Sequence, residues 1–116
     1  MYSRNDRLKE LYKELITKLL REVKDPGLTG FLTVTDLSLS VDRKTATVYY
    51  SILGSEAERE AAGKALERAA PYLRVLLKKE LTVKVIPSLV FEYDETPRKA
   101  SRIDELLNKL DKERGR

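Results

Sequence analysis

Apolar residues recur at three- and four-residue steps through Leu8, Leu11, Tyr12, Leu15, Ile16, Leu19, Leu20 and Val23. That period predicts one amphipathic helix. Ser3 or Asn5 can cap its start. Asp25-Pro26-Gly27 stops it, because the residue before a proline avoids the α region. From Phe31 to Val41 the pattern becomes alternation and predicts a strand. Leu32 and Val34 keep one phase while Leu37, Leu39 and Val41 keep the other, so a bulge is expected near Thr35-Asp36. Asp42-Arg43-Lys44 reads as a polar turn. Ala46 to Leu53, β-branched and aromatic, then closes an antiparallel hairpin.

Ser55 with Glu58 forms a capping box that opens a second helix. Ala57, Ala61, Ala62, Ala65, Leu66 and Ala69 make its inner face. Pro71 interrupts it, since proline lacks an N–H and its ring clashes with the carbonyl four residues back. A third helix is therefore expected from Pro71 to Leu81, with Leu73, Val75, Leu76 and Leu77 turned to the core. Thr82 to Tyr93 predicts a last strand, in which Val83, Val85, Leu89, Phe91 and Tyr93 share one face. Pro87 inside it fits an edge position or a bulge. Ile103, Leu106, Leu107 and Leu110 give a short C-terminal helix, and residues 111–116 a flexible tail. The simplest packing is α+β, with a three-stranded mixed sheet and the helices on one face. The two-helix connection between the second and third strands allows them to lie parallel.

A chain of 116 residues predicts a single domain, placed at residues 1–110. No apolar run is long enough to span a bilayer, and the first residues lack a signal-peptide core. There is no Cys and no His. An intracellular, cytoplasmic protein without a metal site or cofactor is therefore expected, and the commonest general base is missing. The net charge is +4, and residues 64–84 alone hold six basic groups against two acidic ones. One segment thus carries the whole surplus, which suits an acidic polymer as partner.

The order of elements, with a basic helix–joint–helix before the last strand, resembles a KH type II domain. KDPGL at 24–28, ATVYYSILG at 46–54, the alanine joint at 69–71, IPSLVFEYD at 86–94 and RIDELL at 102–107 together resemble the ribosome-binding factor A family. The resemblance implies a non-enzymatic cytoplasmic protein, monomeric when free. It implies binding to the small ribosomal subunit late in assembly, through 16S rRNA with ribosomal proteins as further contacts. It also implies support for maturation of the 5′ end of that RNA and for growth in the cold. In that family the KH loop is replaced by an interhelical kink, usually Ala-x-Gly. Ala69, Ala70 and Pro71 stand at those positions, with proline where glycine is usual. Ser88 is a second departure, at a position where the family often has an acidic residue.

The candidate RNA-binding residues are Arg68, Ala69, Ala70, Pro71, Arg74, Lys78, Lys79 and Lys84, with phosphates neutralised by the cations. The plainer reading of the same cations is a solvated helix face. Arg98, Lys99 and Arg102 form a second small cluster, though Asp94, Glu95, Asp104 and Glu105 around it offer local pairing. Gly27-Leu28-Thr29-Gly30 matches the KH G-x-x-G string, but it joins a helix to a strand and reads as a turn. Tyr49, Tyr50 and Tyr72 read as packing residues. Adjacent carboxylates such as Asp94-Glu95 are weak grounds for a hydrolase. The alternative to RNA binding is a KH-like adaptor for an acidic protein partner.

Overall fold

The computed structural model describes residues 3–28 and 31–96. Helix α1 spans Arg4–Glu22. Ser3 caps it: its hydroxyl accepts from the Asp6 amide at 3.2 Å, and the Asp6 carboxylate accepts from the Ser3 amide at 2.9 Å. Asn5, the other candidate cap, lies inside the first turn, where its side-chain oxygen accepts a bond from Arg43 Nε. Tyr12, Ile16, Leu19 and Leu20 are the buried part of the helix stripe.

Strands β1 (Phe31–Leu39) and β2 (Thr45–Leu53) form the expected antiparallel hairpin. Val34 pairs with Tyr50 and Asp36 with Tyr49, which leaves Thr35 as the extra residue of a bulge. The bulge lets Val34 and Leu37, three positions apart, both enter the core. Thr35 is used as well: its carbonyl accepts from Lys13 Nζ at 3.3 Å and its hydroxyl donates to Asp94 Oδ2 at 2.6 Å. Val41, expected in the strand, stands in the turn with 99% exposure.

Helix α2 runs without interruption from Glu56 to Glu80, with Pro71 inside it. The expected division into two helices at the proline therefore does not occur. An interior proline costs a helix about 3 kcal/mol. Beyond it, Leu73 and Leu77 are fully buried, and each buried leucine contributes roughly 1.5–3 kcal/mol. Packing thus offsets the local penalty and carries the helix through. The capping box of Ser55 and Glu58 is formed as expected. Ala62, Ala65, Leu66 and Ala69 are buried, whereas Ala57 and Ala61 are exposed.

Strand β3 is shorter than the alternation predicts, Ser88–Tyr93. It pairs parallel to β2 at an edge of the β1-β2-β3 sheet. The ladder begins where the Ser88 amide donates to the Lys44 carbonyl at 2.8 Å, because Pro87 just before it has no N–H to give. Thr82 to Pro87 are irregular, and Ile86 rather than Val85 is buried. Both helices cover one sheet face and share its core with Val48, Tyr50 and Leu89. The fold class is thus the α+β, three-stranded mixed sheet read from the pattern. Among the described residues no helix is long and apolar enough to cross a membrane. The C-terminal helix and the tail expected from the sequence lie outside the described residues.

Candidate nucleic-acid interface

The outward side of α2 carries Arg68, Tyr72, Val75 and Lys79 at successive steps of four, three and four residues, which places them on one helix stripe. Tyr72 is 58% exposed and Val75 53% exposed, so neither packs in the core as the periodicity suggests. The stripe turns outward because the opposite one, through Ala69, Leu73 and Leu77, faces the sheet. Ala69 is accordingly a core residue and not a surface contact. Ala70 is half-buried, and Pro71 is exposed beside Tyr72. An exposed aromatic ring between cations is a surface on which a base can stack and its phosphates be neutralised.

The two arginines read as site residues, Arg68 and Arg74, are held by the protein itself. Arg68 donates to both oxygens of Asp25, Nη2 to Oδ1 at 3.0 Å and Nε to Oδ2 at 3.4 Å. Asp25 sits in the chain between α1 and β1 and also accepts from the Gly27 amide at 2.9 Å. The Arg68 guanidinium, then the Gly27 amide, hold the Asp25 carboxyl below its ordinary value. Arg74 donates from Nε and Nη2 to the Ile86 carbonyl at 3.3 and 3.1 Å. It thereby fastens α2 to the irregular segment that precedes β3. These arginines first order the surface, and Arg68 keeps an exposed side chain while doing so.

Lys78 and Lys79 close the helix and are exposed, with no ion pair among the described residues. Their charge also favours the negative end of the helix dipole. Lys84 follows in the irregular segment, exposed at the rim of a groove. Sequence reasoning thus located the charged helix end but not which cations are engaged. Arg98, Lys99 and Arg102 lie outside the described residues. So does the second half of the G-x-x-G string; its Gly27 lies against the backbone of α2.

Asp94, part of an adjacent carboxylate pair, has a structural partner in Thr35. That hydroxyl, followed by the Thr96 amide, lowers its pKa. Tyr50, under α2, meets Phe91 and Tyr93 edge-on with centroids 6.4 and 5.6 Å away, so these rings are packing residues.

One long helix with a basic second half that connects two parallel strands, behind an antiparallel hairpin and a leading helix, is the KH type II-like α+β arrangement. The chain matches the family Ribosome-binding factor A over residues 4–107 and belongs to that family. It is 36% identical to the ribosome-binding factor A of Geobacter metallireducens, covering 99% of this chain and 98% of that one. The solution structure of a putative ribosome-binding factor A from Thermotoga maritima superposes with a TM-score of 0.72 at 31% identity, over 79% of this chain and 88% of the other. A Thermus thermophilus homology model fitted into a cryo-electron-microscopy map of a complex of that factor with the 30S subunit matches at 28% identity. Its TM-score is 0.65, over 77% of this chain and 93% of that chain.

Proposed function

We propose that this protein is a non-catalytic assembly factor that binds the small ribosomal subunit through 16S rRNA, late in the subunit's maturation. The observation that carries the reading is the exposed Tyr72–Val75 stripe ending in Lys78 and Lys79, cations with no protein partner among the described residues. The Thermus relative placed on a 30S subunit supports the choice of partner. Lys78, Lys79 and Lys84 neutralise phosphates, Tyr72 takes a base, and Arg68 and Arg74 fix the surface and reach RNA with what remains of their guanidinium groups. Pro71 and Ala70 border the contact. Arg98, Lys99 and Arg102 add a secondary contact on the strength of their charge. Support for processing of the 16S 5′ end, growth in the cold and a cytoplasmic, monomeric free form belong to the same reading.

Sucrose-gradient sedimentation with small-subunit precursors tests it. The protein is expected to migrate with the precursors and to leave them after ribonuclease treatment. Absence from the precursor fractions overturns the reading. Capture that survives removal of RNA favours an adaptor for an acidic protein.

A further inference from the structure

The β1–β2 turn contains the one non-glycine residue with positive φ among the described residues, Arg43 at 60°. Side chains rarely adopt that backbone, and glycine is the ordinary occupant. The turn is tied down from several sides. The Arg43 amide donates to the Ser40 carbonyl at 2.9 Å, and the Ser40 hydroxyl donates to Asp42 Oδ1 at 2.7 Å. The Lys44 amide donates to the same Asp42 oxygen at 3.0 Å. These two bonds hold the Asp42 carboxyl below its ordinary value, so it stays ionised, and they engage one of its two oxygens. The Arg43 side chain is aimed as well, since its Nε donates to Asn5 Oδ1 of α1 at 2.9 Å.

Arg43 so held borders a groove of about 760 Å³ between the start of α1, the turn and the segment at 82–85. Arg4 and Lys84 line the same groove, and Tyr12 lies within its lining. None of the three cations has an ion-pair partner among the described residues. Val41 and Val85, both exposed, add apolar surface at the mouth. Three cations against the one Asp42 carboxylate leave the groove lining net positive, and a bound anion relieves the remaining repulsion. Arginine offers a planar fork that matches a phosphate, and here its placement is fixed in advance.

We propose that this groove is a second RNA subsite, which takes a backbone phosphate on Arg43, Arg4 and Lys84 and sets the attached nucleotide against Val41 and Val85. It rests on the reading of the protein as an RNA binder and extends the contact around the end of the molecule, from the last turn of α2 to the hairpin turn. Its cations come from three separate segments, at positions 4, 43 and 84.

The test compares wild type, R4Q/R43G and R43K in binding to small-subunit precursors across a salt series, with circular dichroism as the folding control. Glycine suits the backbone of position 43, so the double variant removes charge without imposing a new strain. Loss of that one phosphate contact is expected to reduce the log–log salt slope by about 0.7 in the double variant. R43K, which retains charge but lacks Nε, is expected to keep the slope with weaker binding. In an otherwise unaltered chain, a benzophenone amino acid in place of Val41 is expected to cross-link to RNA. Wild-type binding with an unchanged slope in R4Q/R43G, or cross-links from position 41 to protein alone, overturns the subsite and leaves the proposed function standing. Failure of the wild-type chain to bind the precursors overturns both.

Discussion

Replacing Gly27 by alanine tests how the chain between α1 and β1 is seated on α2. An added Cβ would lie 2.7 Å from the Ala61 carbonyl oxygen and 2.9 Å from the Ala65 Cβ. Both neighbours belong to a helix anchored by Ala62, Leu66 and Leu73, so they cannot retreat as a flexible side chain would. Restoring ordinary contact needs a shift of about 0.7 Å in the connection, and insertion of a methyl into a close-packed site costs roughly 1–3 kcal/mol. Loss of glycine's freedom in the unfolded chain returns about 0.4–1 kcal/mol. The net destabilisation is about 1–2 kcal/mol, or roughly 4–8 °C in Tm for a chain of this length. The shift also moves Asp25 away from Arg68, so the ion pair weakens with the packing. Thermal unfolding followed by circular dichroism reads the effect. An unchanged or raised Tm for G27A would refute the close approach.

Two further perturbations probe the same helix. P71A restores an N–H within continuous α2 and removes the ring clash with the Glu67 carbonyl. It is expected to stabilise by about 2 kcal/mol after the unfolded-state offset. A lower Tm would instead show that Leu73 and Leu77 need the proline's geometry. Asp25 has a pKa depressed below its ordinary 3.8 by Arg68 and the Gly27 amide. Its contribution is therefore present above pH 3.8 and disappears as pH falls through the lower folded-state value. In a pH series of Tm, D25N is expected to be less stable near neutrality and to show a shallower acid slope; a slope identical to wild type contradicts the linkage.

Much of the fold is legible because its periods are uninterrupted. The stripe from Leu8 to Val23 and the phase slip at Thr35 map onto α1 and the bulge. The start of β3 is harder to read. Val83 and Val85 continue the alternation, yet pairing begins only after Pro87, where an amide first becomes available. Continuity of α2 through Pro71 depends on tertiary burial of Leu73 and Leu77, which no local propensity encodes. The charge surplus at 64–84 falls on the second half of α2 and the segment after it. That Arg68 and Arg74 grip Asp25 and Ile86 appears only in three dimensions. Arg4 and Arg43 each stand in a segment without a distinctive charge pattern, and only the topology brings them to one groove with Lys84.

The exposed end of α2 is proposed to hold RNA through Lys78 and Lys79. The most direct test is the salt dependence of binding to small-subunit precursors for wild type and K78E/K79E. The wild-type affinity is expected to fall steeply with salt, and the double reversal to reduce the slope by about 1.4 or more and abolish co-migration at moderate salt. Salt-independent wild-type binding, or a folded K78E/K79E that binds with the wild-type slope, would contradict RNA binding by this helix end.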